Sequence, residues 1–166
     1  MHRFCTFNNN LRDPYERKSM IKKTTLAALL LIAVSGTSVA AESEDIIKYR
    51  QNVMKAVGGH TGAAISLIRG RVDFSIDLEY HVTAIAKALA DIPKLFPEDS
   101  DFGETRAKEE IWADRGRFEK LAEEAAKAAQ DLLAMVKSGD RASIGKGFRD
   151  LSESCKSCHK KFKSRN

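Results

Sequence analysis

A chain of 166 residues has room for one domain. Its 28 Lys+Arg against 23 Asp+Glu look basic, but six of those basic and two of those acidic residues fall in residues 1–40. From residue 41 onward the balance is 22 to 21, a net charge of +1, and nothing in it argues for a nucleic-acid partner.

Residues 1–19 have no periodicity and include Asn8-Asn9-Asn10, which reads as a mis-assigned start or a disordered extension. Cys5 goes with it and carries no expected function. Residues 20–41 read as a secretory signal peptide. Met20-Ile21-Lys22-Lys23 supplies the positive end, and Leu26 to Val34 an apolar run too short to span a bilayer. Small residues then place cleavage after Ala40 or Ala41. The expectation is an exported, periplasmic protein with no membrane insertion once the leader is removed. Residues 42–166 form the domain.

That domain reads as four helices. The first starts at a Ser43 cap, with Glu44 and Asp45 at the positive helix end, and runs through Ile46, Ile47, Val53, Val57, Ala64 and Ile68 to Arg69, with Gly70 as its stop. Inside it Gly58, Gly59 and Gly62 each cost about 1 kcal/mol relative to alanine. They either leave room for a bulky group near the backbone or mark a break; the first is preferred. A second helix follows an Asp73 cap, turns Phe74, Leu78, Val82, Ile85 and Leu89 to one face, and ends before Pro93. Residues 91–107 are the one long connection, broken by Pro93, Pro97 and Gly103, with Leu95, Phe96 and Phe102 expected to tuck onto the bundle.

A third helix is expected from Lys108 to Lys137, with Ile111, Phe118, Ala122, Ala125, Ala129, Leu132 and Val136 inward. Gly139 stops it and Asp140 caps the fourth. The fold class is all-α, an antiparallel up-down-up-down four-helix bundle.

In the fourth helix Ile144, Phe148, Leu151, Cys155, Cys158 and Phe162 recur at steps of 4, 3, 4, 3, 4, the seam of a helix packed in a bundle. The run Cys155-Lys156-Ser157-Cys158-His159 on that seam reads as a c-type haem attachment site. At about 100° per residue, Cys155, Cys158 and His159 span about 100° of arc on one helical face. Two thiols there can add to the two vinyl groups of one porphyrin, and the imidazole can reach the iron from the same side. A thioredoxin-type pair would want a βαβ setting, which the pattern lacks. Structural zinc would want a second ligand pair, and Cys5, His2, His60 and His81 are not at ligand spacing. His60 and His81 read as surface or core-edge residues. After Glu153 the chain carries Lys156, Lys160, Lys161, Lys163 and Arg165, a basic rim suited to acidic redox partners or simply to the end of a helix.

Together these residues resemble the class II c-type cytochromes, cytochrome c-prime and its low-spin cytochrome c-556 relatives. The likeness covers about residues 44 to 164. It rests on Lys48-Tyr49-Arg50-Gln51-x-x-Met54, Ile92-Pro93-Lys94-Leu95-Phe96-Pro97, Ile111-Trp112 with Phe118, and the haem motif with Phe162. The resemblance implies one covalent haem c with iron held by His159. Arg50 and Gln51 would contact a propionate, Trp112 would lie near the haem edge, and Met54 would lie across from His159. Lys163 stands where the family often has an arginine. Homodimerisation through the first two helices is also among its implications. Three functions are open: an electron carrier ligated by His159 and Met54, which Ile92 to Pro97 and Ile111-Trp112-Ala113 favour; a five-coordinate binder of nitric oxide or carbon monoxide; or a haem-free exported module with a Cys155–Cys158 disulfide. An enzyme is not expected, because no carboxylate pair or nucleophile–base constellation stands out.

Overall fold

The computed structural model describes residues 37–73 and 77–165, and side chains from residue 42. The extension and almost all of the expected leader, together with Phe74, lie outside the described residues. The chain divides into two compact units, Met1–Ala40 and Ala41–Asn166, and the helical bundle is the second. The helices are α1 (Thr37–Ile68), α2 (Asp77–Ala90), a single turn α3 (Glu110–Ala113), α4 (Arg115–Ser138) and α5 (Arg141–Phe162). Among the described residues there is no strand, only one isolated antiparallel bridge between Ala107 and Lys163. The four long helices form the expected all-α bundle.

Several helix ends follow local chemistry; the expected Asp73 cap is separated from α2, which begins at Asp77, by residues 74–76 outside the described ones. Gly70 (φ +63°) and Gly139 (φ +71°) take the left-handed conformation that lets orphaned carbonyls be satisfied after a last turn. Asp140 caps α5, its carboxylate accepting from the Ala142 and Ser143 amides at 3.0 and 3.3 Å. Those bonds hold the Asp140 carboxyl below its usual pKa. Ser43 lies within α1 and is buried rather than acting as a cap, because the helix already runs from Thr37.

The third helix is also not continuous. Asp114 (φ −124°, ψ 55°) separates α3 from α4. Just beyond the break, Arg115 donates to the carbonyls of Phe96 and Pro93 at 2.7 and 2.8 Å and to Glu119 at 2.8 Å. The long connection is thereby pinned to the start of α4. It contains two 3-10 turns, Ile92–Leu95 and Glu98–Ser100. Within it Phe96 and Ile92 are buried, but Phe102 is 48 % exposed. Phe102 therefore does not tuck onto the bundle as expected; it comes just after the turn that ends at Ser100, in a stretch facing solvent.

The core takes the periodic positions of every helix. Ala64 from α1, Val82 and Ile85 from α2, Ala129 and Leu132 from α4, and Leu151 from α5 are all at or near zero exposure. Burying one such aliphatic side chain stabilises the fold by about 1.5–3 kcal/mol. α4 lies closely along α2 and α5, and α1 enters the same core through Val57 and Ala64. The helix is unbroken across Gly58, Gly59 and Gly62, and a methyl group built on any of the three would meet nothing within 4 Å. The glycines therefore mark open space, not a kink.

Gly147 is the opposite case. There α5 crosses α4 so closely that a Cβ would lie 2.6 Å from Met135 Sδ and 3.3 Å from Leu132 Cδ1. Gly147→Val is expected to lower stability by about 1–3 kcal/mol through overpacking. Gly59→Ala, on an open and exposed helix surface, should raise it by about 1 kcal/mol. Urea unfolding of the two variants checks both signs.

Candidate functional site: a cleft between the first and last helices

The space that α1 leaves is a cleft. A cavity of about 550 Å³ is walled by Arg50, Gln51 and Met54 of α1, by Ile92, Phe96 and Phe118, and by Cys158, His159 and Phe162 of α5. A second, of about 240 Å³, runs from Met54, Val57, Gly58 and Thr61 across to Leu89, Ala122, Ala125, Cys155 and His159. Met54, Ile92, Cys158 and His159 border both, so the two are parts of one cleft. Gly58 on its wall, with nothing near its missing side chain, is where a flat bulky group can approach the backbone.

The motif lies on the cleft wall by the mechanism its spacing implies. Ile144, Phe148, Leu151 and Phe162 of the seam are buried, while Cys155 and Cys158 pack against the core yet stay half-buried because they face the cleft. Both thiols are free. Burial raises the Cys155 pKa, and burial followed by the neighbouring Cys155 pushes Cys158 up to about 11. These are neutral thiols, unlike the acidic nucleophile of a dithiol oxidoreductase. Burial also lowers the His159 pKa, helped by the charges of Lys163 and Arg106. An imidazole must be neutral to give a lone pair to a metal.

The last turn of α5 is clamped. The Lys108 amide donates to the Phe162 carbonyl at 3.1 Å, and the Ser164 amide to the Arg106 carbonyl at 2.9 Å. The Arg106 guanidinium returns two bonds to the Ser164 carbonyl, at 3.2 and 2.8 Å. Phe118 meets Phe162 edge-on at 5.4 Å and Phe96 at 5.0 Å, giving the cleft an aromatic floor.

Arg50 is 2 % exposed, so it is not a solvated helix arginine. It donates to the Ser100 hydroxyl and carbonyl, both at 2.7 Å, and to the Thr105 hydroxyl at 3.0 Å. Its guanidinium lies 4.7 Å from the Phe96 ring centroid and 5.7 Å from that of Trp112. No carboxylate touches it. Burial lowers its pKa, with Asp101 opposing through its charge alone. Gln51 donates to the Glu104 carbonyl at 2.6 Å and lines the cleft beside it. Trp112 does not line the cleft; it packs behind Phe96 and donates to the Pro97 carbonyl at 2.7 Å.

The residue pattern missed the charge of this wall. Lys55, Arg106 and Lys163 line the larger cavity with Arg50, and no Asp or Glu does. Of the three, Lys163 alone stands out in the sequence, for its place after the motif. Arg106 and Lys55 reach the cleft through the bridge at Ala107 and the turn of α1, which no local spacing reveals. His60 and His81 line neither cavity. No group of three or more His, Cys, Asp or Glu that could hold a metal ion occurs among the described residues.

An apolar cleft with aromatic floor, two neutral thiols and a neutral imidazole on one wall, and four cations without a carboxylate fits haem. The thiols suit two vinyl groups, the imidazole suits an iron, and the cations, buried Arg50 among them, suit two propionates. These features define a helical-bundle cytochrome of the c type. The model of the family described as Cytochrome C' matches residues 45–163, and the chain belongs to that family, whose members carry covalently attached haem c. It is 32% identical over 124 residues to cytochrome c' of Pararhodospirillum photometricum, covering 74% of this chain and 99% of that relative. It is 28% identical over 142 residues to cytochrome c-556 of Agrobacterium fabrum, covering 85% and 94%. A structure of a ferrous variant of cytochrome c prime from Alcaligenes xylosoxidans with bound NO superposes with a TM-score of 0.69 at 25% identity, covering 75% of this chain and 97% of that one.

Replacing Cys155 and Cys158 together by alanine, with a haem-maturation system present, should give protein whose haem is removed completely by acid–acetone extraction. Haem that stays with the double variant would place the attachment elsewhere.

Proposed function

We propose that this chain is an exported haem c protein with a five-coordinate iron held by His159, and that it binds a diatomic gas, nitric oxide or carbon monoxide, on the side facing α1. The observation that carries this is the α1 side of the cleft. Met54, Val57, Gly58, Ile92 and Leu89 line it, and no imidazole or carboxylate of the described residues stands among them. The higher identity to a cytochrome c', and the bound NO in a protein of the same fold, support the gas binder over the carrier ligated by His159 and Met54.

The residue-level preference for Met54 as an iron ligand therefore gives way to Met54 as cover. An unbranched thioether side chain fills irregular space and shields without bonding. The context that favoured ligation, Ile92 to Pro97 and Ile111-Trp112, has a structural role of its own. The Pro93, Phe96 and Pro97 carbonyls accept from Arg115 and Trp112, and Phe96 carries Arg50.

When bound, the haem supplies an iron that takes a small axial ligand. The chain does the rest. Cys155 and Cys158 would hold the haem by thioether bonds, each S–H adding across one vinyl. His159, its pKa lowered by burial and by the charges of Lys163 and Arg106, would ligate the iron. Arg50, Lys55, Arg106 and Lys163 balance the propionates, Gln51 stands beside them, and Phe96, Phe118 and Phe162 exclude water. Redox partner proteins and a homodimer remain part of the proposal. No described helix is long and apolar enough to cross a membrane.

The purified ferric holoprotein should give a high-spin spectrum, and the ferrous form should bind carbon monoxide directly. Met54→Leu should leave the spin state unchanged. A low-spin wild type that refuses carbon monoxide until Met54 is replaced would hand the function to the electron carrier.

A further inference from the structure

Outside the cleft, α1 and α2 meet through a pair of imidazoles. His60 Nδ1 and His81 Nδ1 lie 2.9 Å apart, their rings tilted by 53° with centroids at 5.2 Å. Tyr80 packs edge-on against both, at 5.7 Å from His60 and 5.3 Å from His81, and so braces the rings in this orientation. Both histidines are partly exposed and Tyr80 is 64 % exposed, so the pair faces solvent and not the haem cleft. In the neutral state one Nδ1 carries the proton and the other accepts it.

We propose that His60 and His81 form a binding site for a divalent transition cation that prefers square-planar or tetragonal coordination, copper(II) before nickel(II). The nitrogen separation selects the ion. Metal–imidazole bonds are about 2.0–2.1 Å, and two of them at a right angle place their nitrogens about 2.9 Å apart. That is the separation already present. A tetrahedral ion would need the nitrogens at about 3.3 Å, so the helices or rings would have to open. The separation thus already matches adjacent corners of a tetragonal site, and the rings need only turn from the mutual hydrogen bond so that both lone pairs converge on the ion; copper(II) stands highest among first-row divalent ions for nitrogen ligands.

Binding needs no net proton release. The histidine that donates through Nδ1 moves its proton to the outward Nε2, and both Nδ1 lone pairs then face the metal. No third His, Cys or carboxylate closes around the pair among the described residues, so water fills the remaining positions. Each ring comes from a different helix, and the bound ion would cross-link α1 to α2.

The test is copper(II) titration of the haem-loaded protein, followed by EPR of the copper signal. One ion per chain with splitting from two nitrogens is expected. His60→Gln and His81→Gln, each with an unchanged haem spectrum, should weaken binding by about tenfold or more, because the second ligand acts at high effective concentration. Unchanged affinity in both variants would put the copper elsewhere, at the chain's amino terminus for instance, and overturn the proposal; so would a one-nitrogen signal in the wild type. Should either variant not fold, the wild type decides alone. Copper(II) should protect His60 and His81 from diethyl pyrocarbonate, read by peptide mass, and equal modification with and without the ion would overturn the site.

Discussion

The structure depends on the burial of one cation. Arg50 ties α1 to the chain between α2 and α4. A guanidinium taken out of water costs several kcal/mol unless its donors are met and its charge is balanced. Ser100 and Thr105 meet donors, and the Phe96 and Trp112 rings offer their faces. None of these partners supplies a full negative charge. Asp101 acts on it only through its charge, and the cation opens onto a cavity walled by three more, the setting that the propionates of the proposed haem would complete.

That constraint explains why the connection from 91 to 107 is ordered at all. Its carbonyls at Pro93, Phe96, Pro97 and Ser100 accept from Arg115, Trp112 and Arg50, side chains contributed by elements on either side of it. Its hydrophobic contribution comes from Ile92, Leu95, Phe96 and Ala107. The break at Asp114 belongs to the same arrangement, since the helix resumes with Arg115, which holds the carbonyls of Pro93 and Phe96.

Much of this was legible from the chain because it is periodic. The seam from Ile144 to Phe162 lies on one helix, where angle per residue converts directly into a shared face. The same holds for Val82, Ile85 and Leu89. Turn chemistry at Gly70, Gly139 and Asp140 is equally local. What could not be read are contacts set by distant pairs. The interruption at Asp114, the exposure of Phe102, the arrival of Arg106 and Lys55 at the cleft, and the pairing of His60 with His81 each depend on where another segment passes. Arg50 lay between the two cases. Its face was readable from its spacing to Met54, whereas its partners 50 and 55 residues away were not. The role of Met54 is not legible in the same way, because a methionine suits either a ligand or a filler, and spacing places the sulfur without saying whether it bonds.

The clamp on the last turn of α5 bears on the order in which the cleft is completed. Arg106 and Ser164 close it across 58 residues of chain, with the Lys108 amide on the Phe162 carbonyl beside them. It cannot form until the helix that carries both thiols and the imidazole has been made. The wall that bears the motif is thus the last to leave the ribosome and is pinned from both sides of its final turn, so a chain cut short by a few residues would lose the fastening before it lost the motif.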